Sequence, residues 1–346
     1  MKNFLAVLIT ATMLYLFSGP TLATPVFVSL HSEDVGGGPG VAINLEKAEG
    51  FLVKAKTLGA RGVRTDIRWS DIQPESGEFD TNVLDAYIEY FAKSQEKVGP
   101  PIVVLADMPG WAKDLLKRVQ KSEEKEANEK TFWDSYAAYI TVVVAKLKEA
   151  QEKGTLKPIK YIQMWNEANH VMNPTPDKDD YKYFSIAGEI IEKELGKPED
   201  GGPLKLVNVM ADMPAWERSV NKWLEGASEY IDVIGIDHYP GTWEPVPYAD
   251  WMPLKRLIKN INDENSSWYG KQGAVLETGF STWNALIANQ AMQGLFVDRA
   301  LPKIRELADK NNLGDSSHMM SSPANPNKII LINWYSLADA KKHGLQ

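Results

Sequence analysis

Eight short runs rich in valine and isoleucine recur along the chain: Val26–Leu30, Gly62–Ile67, Pro101–Ala106, Ile159–Trp165, Leu204–Met210, Val233–Asp237, Ala274–Leu276 and Lys328–Trp334. Each is nearly continuous in apolar residues, the pattern of a strand buried on both faces of a parallel sheet. Amphipathic runs lie between them, such as Leu45–Thr57, Val83–Lys97, Phe132–Glu152, Tyr181–Glu194 and Ala285–Lys310. Eight such alternations predict an α/β chain closed as a (β/α)8 barrel (TIM barrel) in one domain. A doubly wound open sheet is the competing topology, but no Gly-rich dinucleotide fingerprint follows a strand. The run Gly36-Gly37-Gly38-Pro39-Gly40 has the wrong spacing for a phosphate loop and reads as a flexible loop on the barrel rim. The last strand ends near Trp334 and the sequence at Gln346, so a shortened eighth helix is expected. The stretches Lys121–Lys130 and Gly314–Asn327 read as solvated loops.

At 346 residues the chain is long enough to bury a large core, and 44% hydrophobic residues is usual for a globular protein. The net charge of −8 argues against a nucleic-acid partner, which needs a basic face. Residues 1–23 resemble a secretory signal: Lys2 supplies charge, Phe4–Phe17 is apolar, Ser18-Gly19-Pro20 breaks the run and Thr21-Leu22-Ala23 fits a cleavage site. The apolar run is short for a membrane span of roughly 20 residues. A secreted, extracellular protein is therefore expected, with residues 24–346 as its catalytic domain, not membrane-bound after cleavage, and monomeric. There is no cysteine, which excludes disulfides, thiol catalysis and Cys-based zinc sites. Asn265-Ser266-Ser267 is a glycosylation sequon.

In a (β/α)8 barrel the chemistry sits at the C-terminal strand ends. Polar residues gather there: Arg64, Asp66 and Arg68 on strand two, Asp107 after three, Asn166 and Glu167 after four, Asp212 after five, Asp237, His238 and Tyr239 at six, Glu277 at seven and Trp334 at eight. Two apolar runs that end on a glutamate are unusual, because a desolvated carboxylate is costly. They suggest paired carboxylates, the equipment of glycoside hydrolysis.

The set Arg64, Trp165-Asn166-Glu167, Tyr239, Leu276-Glu277-Thr278-Gly279 and Trp334 resembles the large clan of retaining (β/α)8 glycoside hydrolases. The stretch Ile72-Gln73-Pro74-Glu75-Ser76-Gly77-Glu78-Phe79-Asp80 is similar to one found in several of its families. The resemblance implies that Glu167 is the acid/base, Glu277 the nucleophile and Asn166 a ligand of the sugar 2-hydroxyl. It further implies Arg64 and Tyr239 as partners of Glu277, and Trp334 as the floor of the sugar subsite. The expected carboxyl separation is about 5–5.5 Å, the retaining spacing. One departure stands out: many families of the clan carry His-x-Tyr after strand six, and here the string is Asp237-His238-Tyr239.

The substrate is expected to be a β-linked polysaccharide or oligosaccharide cleaved internally, without metal or organic cofactor. Endo-β-glucanase, β-mannanase, β-xylanase and β-1,4-galactanase types all fit. Flat indole faces suit pyranose rings, and Trp69, Trp111, Trp216, Trp243, Trp283 and Trp334 follow expected strands. Plainer readings exist for several residues. Glu167 and Glu277 could be structural ion-pair partners of Arg64, and Arg64 could serve only Asp66. His238 reads as a satisfied polar residue or a substrate contact, and His170 as part of the loop after strand four. An inactive carbohydrate-binding barrel and a scaffold that works through its surface are the other functional classes.

Overall fold

The computed structural model describes residues 24–119, 125–170, 181–239, 251–279, 302–312 and 328–334. Eight strands, β1 (Val26–Leu30), β2 (Val63–Arg68), β3 (Pro101–Ala106), β4 (Tyr161–Gln163), β5 (Leu204–Met210), β6 (Val233–Asp237), β7 (Gln272–Thr278) and β8 (Ile329–Trp334), pair in sequence order, and β8 pairs with β1. Every pairing is parallel, so this is the closed (β/α)8 barrel that the alternation predicted.

Strand alternation sorts the core into two shells. One face of the strands carries Phe27, Ile102, Val104, Leu206, Val233, Ala274, Leu276 and Leu331, which form a compact apolar cluster inside the barrel. The alternate residues, such as Val28, Val63, Val103, Ile162, Val207, Ile234 and Ile332, join the helices in the larger cluster. Gly235 is required by this packing, because a Cβ there would stand 2.2 Å from the Leu276 side chain.

The helices include Leu45–Thr57, Thr81–Lys97, Lys125–Glu152, Tyr181–Leu195, Trp216–Ala227 and Met252–Asn262, with residues 302–312 also helical. Asp80 caps helix Thr81–Lys97 by accepting from the amides of Asn82 and Val83. One loop expectation is corrected. Lys125–Lys130, read as solvated loop for its charge density, is the first part of helix Lys125–Glu152; Lys125, Glu126 and Lys130 stay exposed, and Lys130 pairs with Asp134 at i+4. The glycine run at 36–40 is a built turn: Gly36 and Gly37 donate back to Glu33 and Ser32, and Gly38 bridges to Val41.

β4 is shorter than its apolar run suggested, because the chain leaves the sheet after Gln163. Helix Lys125–Glu152 holds that departing end. Tyr136 donates to the Met164 carbonyl at 3.0 Å and Tyr139 to the Ile67 carbonyl at 2.5 Å. Trp165 faces the helices, stacked on Tyr183 at 4.5 Å. Among the described residues no helix is long and apolar enough to cross a membrane. Residues 1–23, the expected eighth helix, Gly314–Asn327, Trp243, Trp283 and residues 285–301 of the last amphipathic run lie outside the described residues.

Candidate active site

Above the apolar layer, the barrel interior turns polar. Arg64, Gln163, Asn208, Asp237 and Asn333 are all buried within or at the end of their strands. Burying such groups is tolerable only if each is hydrogen-bonded; Arg64 bonds to Gln163 and Asn208 to Asp237, while Asn333 finds partners elsewhere. Arg64 is the hub. Its Nε donates to Gln163 Oε1 at 2.9 Å, its Nη2 to Asn166 Oδ1 at 2.7 Å, and its Nη1 lies 2.9 Å from Glu277 Oε1. Burial works against the guanidinium charge, but Glu277, Asp66 and Asp237 outweigh it and hold its pKa above the ordinary value.

Glu277 has both carboxylate oxygens engaged, Oε1 by Arg64 and Oε2 by the Tyr239 hydroxyl at 2.5 Å. Its orientation is thus fixed. Asn166 Oδ1 accepts from Arg64, Gln163 (3.0 Å) and Asn208 (2.9 Å), which sets the amide with its oxygen toward the network and its nitrogen away from it. Glu167 sits in a left-handed backbone conformation (φ 43°), uncommon for a non-glycine residue. Its amide donates to Asn208 Oδ1 at 2.9 Å, and its carbonyl accepts from His170 at 2.8 Å. Strained backbone held by surrounding bonds is a feature of functional sites.

One oxygen each of Glu167, Asp237 and Glu277 lies within 4.8 Å of the others. Burial first, and then the negative charge of Glu277, raise the Glu167 pKa to about 7. Three carboxylates also make a donor set for a hard cation. Arg64 already supplies a positive charge 2.9 Å from one of them.

A second layer surrounds this cluster. His31 Nδ1 lies 2.9 Å from Asp66 Oδ2. Burial raises the Asp66 pKa, but His31, Arg64 and Arg68 more than offset it and bring the value down to about 2. Arg68 also meets Glu33 and stands 3.8 Å from Asp107. Asp66 is thus Arg64's neighbour rather than its sole purpose.

The expected site residues separate into two groups. Arg64, Asn166, Glu167, Tyr239 and Glu277 converge on one network. His238 is instead joined to Asp212 at 2.5 Å and packs edge-on to Trp251. The other oxygen of Asp212 accepts from the Tyr239 amide at 3.1 Å, so this pair secures the loop that carries Tyr239. Trp334 ends β8 with 4% exposure and packs in the larger core cluster. The side chain that enters the interior there is Asn333, donating to Ser29 at 2.7 Å and to the Leu276 carbonyl at 2.8 Å. Trp69 and Trp216 belong to the core, not to a platform. Trp111 is half-buried, its indole donating to the Gln73 carbonyl at 3.1 Å.

Gln163 and Asn208 are functional candidates that strand-end reasoning missed. The signal was a polar residue inside each apolar run, in Ile162-Gln163-Met164 and Val207-Asn208-Val209.

Neither a family model nor a curated protein sequence matches the chain. Solved structures do. An apo β-glucosidase, 1317, superposes with a TM-score of 0.58 at 13% identity, over 90% of this chain and 88% of that one. An exo-β-1,4-mannosidase, Op5Man5 from Opitutaceae bacterium strain TAV5, gives 0.56 at 18% identity, over 93% of this chain and 55% of that one. A β-glycosidase from Pyrococcus horikoshii gives 0.53 at 13%, over 92% and 85%. At these identities the likeness is one of fold.

Proposed function

We propose that the protein is a retaining glycoside hydrolase that cleaves β-glycosidic bonds of a polysaccharide or oligosaccharide by double displacement. The observation that carries this reading is the pair Glu167 and Glu277, with oxygens within 4.8 Å of each other at the strand ends. Oxygens that near fit a direct nucleophile, for which the carboxyl groups stand about 5–5.5 Å apart, where an interposed water requires roughly 6.5–9.5 Å between the groups. The structural neighbours, a β-glucosidase, a β-glycosidase and an exo-β-1,4-mannosidase, support β-glycosidic chemistry on this fold.

In the first step a Glu277 oxygen bonds to the anomeric carbon as the bond from that carbon to the leaving oxygen breaks, and the Glu167 proton passes to that oxygen. In the second, Glu167 takes a proton from water, the water oxygen bonds to the anomeric carbon, and Glu277 leaves with its electron pair. Both residues end as they began. Glu167 with a pKa about 7 suits both duties near neutral pH. Asn166, its oxygen turned to the network, offers its nitrogen to the sugar 2-hydroxyl. Secretion after removal of residues 1–23, action within the glycan chain, a monomeric state and independence of metals complete the proposal.

The test is reducing-end release from β-glucan, mannan, xylan and galactan, with Glu277→Gln as control and NMR detection of the first-formed anomer. Release by wild type alone, with retained β configuration, supports the reading. Inverted product overturns the double displacement. Glycan binding by folded protein without turnover points instead to a carbohydrate-binding barrel.

A further inference from the structure

Asp237 is the third member of the carboxyl cluster and has no part in the mechanism above. It is fully buried at the end of β6. The register places it there deliberately: Ile236 pairs with Val275, but Asp237 pairs with Glu277, one residue of β7 being skipped by a bulge. The skip sets both carboxyls level. Asp237 Oδ2 accepts from Asn208, the residue that also orients Glu167 and Asn166. Its Oδ1 is buried with no N–H or O–H donor against it among the described residues. An oxygen of its carboxyl lies within 4.8 Å of one of Glu167, and two carboxyls brought together this way can share a hydrogen bond only when one carries a proton.

The charges facing Asp237 from the surrounding elements agree. Glu277 comes from β7 and Glu167 from the end of β4, both negative when ionised. Among the described residues Arg64 on β2 is the one cation in the cluster, facing Glu277 and Asp66. His238 and Asp212 face each other. Three ionised carboxylates against one guanidinium would leave excess negative charge in a dry site. Burial, then Glu277 and Glu167, push the Asp237 pKa well above the usual carboxylate range.

We propose that Asp237 is a positioning residue that keeps its proton through the catalytic cycle and donates it as a hydrogen bond to Glu167. The proposal rests on the hydrolase reading, where it makes Asp237 the neutral donor that steadies the acid/base in both of its charge states. A neutral carboxylic acid does this where a second cation would bind Glu167 too tightly in its anionic form.

The experiment combines a spectroscopic readout, independent of activity, with kinetics. In full-length protein labelled with 13C at the aspartate carboxyl, one resonance is expected to stay at its protonated position through neutral pH and to be missing from Asp237→Asn. Ionisation of every aspartate below pH about 6, against an ordinary value of about 3.9, would overturn the proposal even if the enzyme proves inactive on every glycan. In kinetics, Asp237→Asn keeps a neutral donor. It is expected to hold kcat/KM within about threefold of wild type, with the basic limb of the pH profile unmoved. Asp237→Leu, shown folded by its melting transition, is expected to lower kcat at least tenfold and move the basic limb upward, because the donor that favours ionised Glu167 is gone. A basic limb that falls by about one pH unit in Asp237→Asn would mean that a negative charge had been removed, and would sink the idea. Activity lost to a chelator and restored by a divalent cation would do the same, since bound metal would displace the proton.

Discussion

The barrel holds two buried charge clusters at its opposite ends, and they are built differently. At the strand starts, Lys205 is fully buried with its Nζ 2.8 Å from Asp232 and 3.1 Å from Glu192, and Lys271 lies nearby. Lys197 also lies 4.0 Å from Glu192, so each carboxylate has a lysine partner and the negative charge is balanced. Asp232 also accepts from the Lys205 amide at 2.8 Å, tying β5 to the turn before β6. At the strand ends, Glu167, Asp237 and Glu277 share Arg64, and the charges do not balance. A balanced cluster is at rest whatever the pH near neutrality. An unbalanced one must hold a proton, and a proton held near neutral pH is available for transfer. Fold alone does not distinguish the two ends; the count of charges does.

Substitutions test the contrast, beginning where the effect is greatest. Glu277→Gln is expected to abolish reducing-end release by several orders of magnitude, measured against wild type at saturating glycan, because the nucleophile is removed. Glu167→Gln is expected to cost about 10²–10⁴ in kcat on natural glycans, the usual worth of acid–base assistance. Substrates with good leaving groups should recover much of the first step, visible as a burst of released aglycone. Retained turnover in either variant would place the chemistry elsewhere in the barrel.

The opposite end should respond in stability and not in chemistry. Lys205→Met leaves Glu192 and Asp232 facing each other without their shared cation. Loss of a buried partner costs about 3–5 kcal/mol, and the low end is expected here because those carboxylates keep 17% and 22% of their exposure. Denaturant unfolding reads the cost, while kcat/KM of the remaining folded protein should match wild type. An activity loss in Lys205→Met would break the comparison.

The pH dependences are finer. Catalysis needs protonated Glu167, so kcat/KM is expected to fall as pH rises through about 7. The same group affects stability. Its folded pKa lies above the unfolded one, so the folded state binds the proton more tightly, and its contribution to stability diminishes as pH rises from about 4.3 to about 7. Glu167→Gln should flatten that part of the stability curve. An unchanged slope would assign the proton to another member of the cluster.

Much of the site was legible because it follows strand ends. Asn166, Glu167, Tyr239 and Glu277 are strand-end or next-to-strand residues, and the topology needs only to bring those ends to one mouth; Arg64, the second residue of β2, reaches Glu277 from lower in the barrel. What strand-end reasoning could not assign was the direction of neighbours. His238 and Trp334 sit one residue from Asp237 and Asn333, whose side chains bond within the interior; His238 is held by Asp212 and Trp334 packs in the larger core cluster. The polar residues within strands, Gln163 and Asn208, were visible as oddities but not as a network, since their partners are 99 and 42 residues distant in the chain.

The sequence by itself determined the barrel, through eight apolar runs that can be satisfied only with both faces covered, and the candidate glutamates, through carboxylates that would otherwise be too costly there. Only the tertiary structure decided which side chains meet. The bulge between β6 and β7 levels Asp237 with Glu277, and the left-handed turn at Glu167 aims its carboxyl at both. Both are backbone events fixed by packing from distant helices and strands. Neither leaves a mark in local composition, and the three carboxyls meet because of them.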